Sequence, residues 1–334
     1  MLLRIFSGGR ASNAFIIFLF AGMLWLPGLT SPETDAFFFP TEAMPFFKSF
    51  IHVLSNKIAL SKILAFALVL FNAFLLVRLN AAYILIQERT FLPAFFFLLL
   101  TGFYYPHLQF SEYIFGSISM IFILIAIFST YKQEPNSRRF FDAGLMIGIS
   151  VLFYARMVYF LPFIWIAQLI LRPFSWREWI TPILGMLTPA FLLVSIRFLI
   201  GYDPADAWVI FYDNLNSFYY SFHFTRAYII ISSYVFILVL MASGYMLKVF
   251  QFRKVYIRNY YLLFFWLFIL SSVLFTFLTR FDPGMLYITA IPVSFILSNY
   301  FIHAKKSLGN RILFLLILLL FLANGLNHWF GWLE

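Results

Sequence analysis

The residues of this chain that could do chemistry are carboxylates at the edges of apolar runs and arginines at their breaks. Residues 29–47 read LTSPETDAFFFPTEAMPFF, which sets Glu33, Asp35 and Glu42 among phenylalanines and prolines. Carboxylates in such a stretch sit where lipid meets water, and they can take up or release protons there. Further along, YYPHLQFSEY carries His107 and Glu112, GYDPADAWVIFYDNLNSFYYSFHFTR carries Asp203, Asp206, Asp213, His223 and Arg226, and TRFDPGMLY carries Arg280, Asp282 and Tyr287. Arg156 interrupts the apolar run 143–171. A charge inside or near a bilayer is costly unless paired or hydrated, so such an arginine is read as functional by default.

Each of these has a plainer reading. Asp203 and Asp206 in YDPAD suit a turn and a helix N-cap. The tyrosines and tryptophans nearby suit an interfacial belt. His107 and Glu112 are not convincingly spaced for a metal, and no metal site is assigned. The chain has no GxxxxGK[ST], no GxGxxG in a strand context, no HExxH and no GxSxG. Nothing therefore points to ATP, to a zinc hydrolase or to any cofactor.

The elements that must position these residues are apolar helices. Of 334 residues, 63% are hydrophobic and only 11% charged, against about 25% charged in a soluble domain. The fold class is all-α, a polytopic membrane protein. The net charge of +10 marks cytoplasmic loops in such a protein, so no nucleic-acid partner is expected. There is no cysteine, which excludes disulfides and thiol chemistry. A span needs roughly 20 apolar residues. Candidates are 12–30, 58–77, 113–130, 179–200, 228–249, 260–279, 285–303 and 311–330, with 91–105 shorter but uncharged. The first run lacks a small-residue cleavage site and reads as a retained anchor.

The run 143–171 would be about 43 Å long as one helix. Split at Arg156 into two half-spans, it puts most lysines and arginines on one side of the membrane, in segments 1–11, 78–90, 131–142, 172–178, 248–259 and 304–311. As a single span it would send every later basic loop outside. The positive-inside rule favours the pair. The expectation is about eleven membrane segments, with the N-terminus inside, the C-terminus outside and an outward cavity at Arg156. The chain 1–334 reads as a single transmembrane domain. An outer loop, 31–57, continues into an amphipathic interfacial helix in FFKSFIHVLSNK, and a second outer loop covers 201–227.

The layout resembles the GT-C class of integral membrane glycosyltransferases, which take sugars from polyprenyl-phosphate donors. The resemblance rests on the acid-bearing first loop PETDAFFFPTE, the interfacial helix FFKSFIHVLSNK, the short helices of GLMIGISVLFYARMVYFLPFIW, and the outer turn RFDPGMLYITAIP. It implies that an acid of the first loop, Asp35 or Glu33, is the catalytic base. It implies that outer arginines, Arg156, Arg226 and Arg280, hold the lipid phosphate, with His107, Glu112 and Tyr287 also binding substrate. Departures are the separation of Glu33 from Asp35 by Thr34 and the lack of a large extracytoplasmic domain. The chain also looks like an uncharacterised bacterial family of multi-pass membrane proteins.

That resemblance leads to the expectation of an enzyme of cell-envelope glycan assembly at the outer face of the bacterial inner membrane. Its partners would be a lipid-linked sugar donor and membrane lipids. The alternatives are a transporter or lipid flippase, and a non-catalytic subunit with a partner in an envelope complex.

Overall fold

The computed structural model describes residues 11–30, 43–54, 57–86, 88–104, 108–131, 137–216, 225–249, 253–279, 281–303 and 308–330. Its elements in chain order are α1 (Ala11–Thr30), α2 (Pro45–Leu54), α3 (Ile58–Tyr83), α4 (Leu92–Gly102), α5 (Glu112–Phe128) and α6 (Ser137–Val151). A 3-10 turn, Ala155–Phe160, leads into α7 (Leu161–Leu171). Then come α8 (Trp176–Leu199), α9 (Pro204–Asn216), α10 (Arg226–Val249), α11 (Val255–Val273, continued by a π turn over Leu274–Leu278), α12 (Pro283–His303) and α13 (Leu308–Phe330). The described residues contain no strand.

Six of these helices are long and apolar enough to cross a membrane: Asn13–Thr30, Ile58–Tyr83, Trp176–Leu199, Arg226–Val249, Val255–Leu278 and Pro283–His303. Four more are apolar but shorter: Leu92–Gly102, Glu112–Phe128, Ala155–Leu171 and Leu308–Asn324. The architecture is that of a multi-pass helical membrane protein. Helix α9 occupies part of the stretch 201–227, with Tyr202, Trp208 and Tyr212 exposed.

Helix α12 is the hub and packs against α4, α5, α10 and α11. Most of its side chains are buried. It carries Pro292 in its interior, and its hydroxyls turn back onto its own carbonyls: Thr289 to Met285 (2.7 Å), Ser294 to Ile291 (2.7 Å) and Ser298 to Ser294 (2.6 Å). Such self-satisfaction lets polar side chains lie inside an apolar bundle. Polar contacts also cross between helices in the core, among them Ser117 of α5 to the Asn72 side chain of α3 and the Tyr260 hydroxyl of α11 to the Phe128 carbonyl of α5, both at 3.0 Å.

The run 143–171 is broken at Leu152–Tyr154, between α6 and the 3-10 turn. Pro162 lies in the first turn of α7, where its missing N–H costs nothing. Helices α6 and α8 pack backbone to backbone. A Cβ on Gly144 would lie 2.1 Å from the Pro182 carbonyl oxygen, and one on Gly148 would lie 2.3 Å from that of Met186. Gly185 meets the Phe141 carbonyl in the same way, at 2.3 Å. Small residues of this kind let membrane helices approach closely. The pairing ascends in both chains, 144 with 182 and 148 with 186, so α6 and α8 run parallel. The intervening residues 155–171 therefore carry the chain back.

The return is fastened at its far end. Arg172 pairs with Glu178 at 3.3 Å and donates to the Thr130 carbonyl at 2.9 Å. Gln168 donates to the Glu178 carbonyl at 2.7 Å, and Trp165 stacks on Trp179.

Candidate functional site

Three elements bring polar groups together inside the bundle: the break before α7, the start of α5 and the start of α12. Asp282 precedes α12 in the sequence FDPG. Its Oδ1 accepts the Gly284 N–H at 2.9 Å, as an acid before a helix does. Its Oδ2 accepts from both the Arg156 guanidinium and the Tyr154 hydroxyl. Asp282 is wholly buried and Arg156 nearly so. The carboxylate is thus committed on both oxygens. It neutralises Arg156 and fixes its direction, which charge-assisted bonds do well.

Glu112 is the third ionisable member. It opens α5, where a carboxylate suits the positive end of the helix dipole. It lies within electrostatic reach of both Asp282 and Arg156. Its Oε2 is buried and has no hydrogen-bond partner among the described residues. Around this core, Tyr113 packs on Tyr287 with ring centroids 5.2 Å apart. Gly284 is required by the crowding: a Cβ there would stand 2.6 Å from the Tyr154 hydroxyl and 3.0 Å from Cβ of Tyr113.

The turn that delivers Asp282 is itself tight. Phe281 adopts φ of 64°, a left-handed conformation that is uncommon for a bulky residue. Its N–H bonds the Phe275 carbonyl at 2.8 Å, closing the end of α11 before α12 begins.

Helix α2 lies against the same break. The Phe46 N–H donates to the Leu152 carbonyl at 3.2 Å. Phe46 and Phe50 pack on Phe153, and Phe47 stacks on Phe110 at 5.7 Å. Phe47 and Leu54 are buried. The apolar face read as a bilayer anchor is thus divided: Phe47 and Leu54 turn onto protein, while Phe46 and Phe50 touch the rings at 115 and 153 and stay exposed.

A model of a family of unknown function, DUF6427, matches residues 27–327. The chain belongs to that family. No curated protein and no solved structure matches it. Within this DUF6427 chain, Arg156, Glu112 and Tyr287 are brought into one neighbourhood. Arg226 starts α10 with an exposed side chain and shares no ion pair with Arg156 or Asp282. Asp35, Glu33, His107 and Arg280 lie outside the described residues. In place of the outward cavity expected at Arg156, the described residues show a buried guanidinium closed by its own counter-ion. No group of three or more metal-ligating residues forms among the described residues.

Asp282 stands among the polar groups picked out from the sequence but without an assigned role, and Tyr154 and Gly284 are not among them. The stretch RFDPGMLYITAIP reads as a turn that opens an apolar span, and in the structure Asp282 Oδ1 caps the start of that span. Nothing local signals that Oδ2 serves an arginine in another helix.

Proposed function

We propose that this DUF6427 chain is a GT-C-like glycosyltransferase that uses a polyprenyl-phosphate-linked sugar at the outer face of the bacterial inner membrane. About eleven membrane segments, with 143–171 as a half-span hairpin, complete this reading. The observation that carries it is the tie between Phe46 and Leu152. It joins the helix that follows the acid-bearing loop to the break that holds Arg156. The reaction needs a base, which that loop would supply, and an oriented phosphate site, which the break approaches through Arg156 and its partner Asp282.

In this reading the acceptor hydroxyl gives its proton to Asp35 or Glu33. Its oxygen bonds the anomeric carbon while the bond from that carbon to the donor phosphate breaks. Polyprenyl phosphate leaves with the electron pair, stabilised by positive charge. Arg156 is already neutralised by Asp282, so the surplus cation is assigned to Arg280, two residues before Asp282 in the sequence. Arg156 then orients rather than supplies net charge.

A second reading is favoured by the same ion pair. Arg156, Tyr154 and Asp282 satisfy one another, as in a latch that only holds helices together. A non-catalytic subunit of an envelope complex would need no more. The test is transfer of labelled sugar from polyprenyl-phosphate donors to acceptor in reconstituted vesicles. Asp35→Asn and Arg280→Ala are expected to lower the rate about 10²–10⁴-fold. Unchanged transfer in both, and in Glu33→Gln, would remove these residues from the mechanism, whereas a wild-type protein that transfers no sugar would move the chain to the subunit reading.

A further inference from the structure

We propose that Glu112 is a proton-binding site: it stands beside the Arg156–Asp282 pair as a neutral carboxylic acid, and loss of its proton loosens that pair. The inference rests on charge and geometry, and it holds whether or not the chain transfers sugar. Glu112 is only 8% exposed, and its Oε2 is buried with no hydrogen-bond partner among the described residues. One cation and one other acid, Arg156 and Asp282, share its surroundings. That cation is already engaged. The Arg156 guanidinium and the Tyr154 hydroxyl both donate to Asp282 Oδ2, while the Gly284 N–H serves Oδ1. With both acids ionised, two negative charges would face one positive charge inside the bundle. With Glu112 protonated, the cluster is neutral. A carboxylate left unmatched in such a place costs far more than a neutral carboxyl left unmatched. The dipole of α5 favours the ionised form, but it is worth less than burial of an unpaired ion costs.

The other elements packed around Glu112 leave this balance as it is. Tyr113 and Tyr154 lie within its reach, and both are phenols, neutral at pH 7. On α2, Lys48 and His52 are exposed. On α3, Lys62 is buried but forms no salt bridge with Glu112. On α6, Arg138, Arg139 and Asp142 lie in the first two turns, at the end away from the break. Helix α12 carries no charged side chain between Asp282 and His303. When Glu112 ionises, Arg156 therefore faces two carboxylates in place of one. Its attraction is divided, and the tie from the 155–160 turn to the start of α12 weakens. The proton on Glu112 keeps Arg156 with Asp282.

The experiment follows the full-length protein in detergent by infrared spectroscopy through a pH titration. A protonated carboxyl has a carbonyl stretch distinct from that of a carboxylate. At pH 7 the wild type should show such a band, and Glu112→Gln should lack it. Asp282→Asn leaves Arg156 to Glu112, so the band should vanish at a lower pH than in the wild type. An unchanged midpoint there would overturn the sharing of Arg156. Unfolding supplies the second reading. In an unfolded chain a glutamate titrates at about pH 4.3, so above that pH the unfolded state binds fewer protons than a fold that keeps Glu112 neutral. Stability then falls as the pH rises. From about pH 5 to 8, the unfolding constant of the wild type relative to Glu112→Gln should climb by up to about tenfold per pH unit. Histidines titrate in both proteins and drop out of the ratio. Glutamine has the shape of the neutral acid, so Glu112→Gln should match the wild type near pH 5 and be the more stable at pH 8. A flat ratio, or no band in the wild type at pH 7, or a band that survives in Glu112→Gln, would overturn the proposal. So would a Glu112→Gln protein that fails to fold or is the less stable at pH 8, the result expected of an ionised Glu112 held by Arg156.

Discussion

Arg156 and Asp282 stand 126 residues apart in the chain and form one buried ion pair. A charge stripped of its partner in such a place keeps its full desolvation cost. Removing one member of a buried pair therefore costs about 3–5 kcal/mol, whereas replacing both by apolar groups is often neutral or better. Asp282→Ala is expected to lower stability in detergent by that amount, read by thermal or denaturant unfolding. Arg156→Met combined with Asp282→Leu should recover most of the loss. A double variant as unstable as Asp282→Ala alone would show that the pair is more than mutual neutralisation.

Gly284 gives a sharper test of how closely this cluster is packed. Gly284→Ala places a methyl group 2.6 Å from the Tyr154 hydroxyl and 3.0 Å from its Cζ. Overpacking of this kind costs roughly 1–3 kcal/mol. Tyr154→Phe removes the nearest of the clashing atoms but also one hydrogen bond to Asp282. The double variant should be more stable than the sum of the two single losses requires. Simple additivity in unfolding experiments would argue against the contact.

The apolar runs 12–30, 58–77, 228–249, 260–279, 285–303 and 311–330 all mark helices, because burial in lipid imposes long unbroken hydrophobicity that single sequences display openly. Helix α2 was legible from the spacing of Phe46, Phe47, Phe50, Ile51 and Leu54. Its partner was not, since Phe110, Phe115 and Phe153 come from two other segments. The break near 154 could be read from Arg156 and Pro162. The site was legible only in outline: Arg156, Glu112 and Asp282 stand out as ionisable groups within or beside apolar runs, but nothing marks Asp282 as the partner of Arg156. Pairing across 126 residues leaves no local trace.

The glycines of α6 and α8 predict where a single methyl group is intolerable. Gly148→Ala would put its Cβ 2.3 Å from the Met186 carbonyl oxygen, a backbone atom that cannot rotate away. The two helices must separate, at a cost of about 1–3 kcal/mol. Gly244, inside α10, has nothing within 4 Å of its Cβ position. Gly244→Ala should instead stabilise the protein by about 0.5–1 kcal/mol, the ordinary penalty of glycine in a helix. Opposite signs in the two unfolding midpoints are the expected result.

The parallel course of α6 and α8 makes a prediction about sidedness. Contacts that pair 144 with 182 and 148 with 186 require the two helices to begin at the same end of the bundle. The starts of α6 and α8, at Ser137 and Trp176, therefore belong to one side of the membrane, whichever side that is. Arg138, Arg139, Arg172 and Arg177 fall near these two starts, so on the proposed topology the positive-inside rule would put that side in the cytoplasm. Reporter fusions after residues 135 and 175 should both report cytoplasm, and so should fusions after 255 and 307. Fusions after 40, 215 and 282 should report the outside. If 135 reports cytoplasm while 175, 255 and 307 report outside, the chain crosses the membrane once over 143–171. Helices α6 and α8 would then start on opposite sides, which their register forbids. That pattern would refute the hairpin and, with it, the placing of Arg156 at the outer end of the bundle.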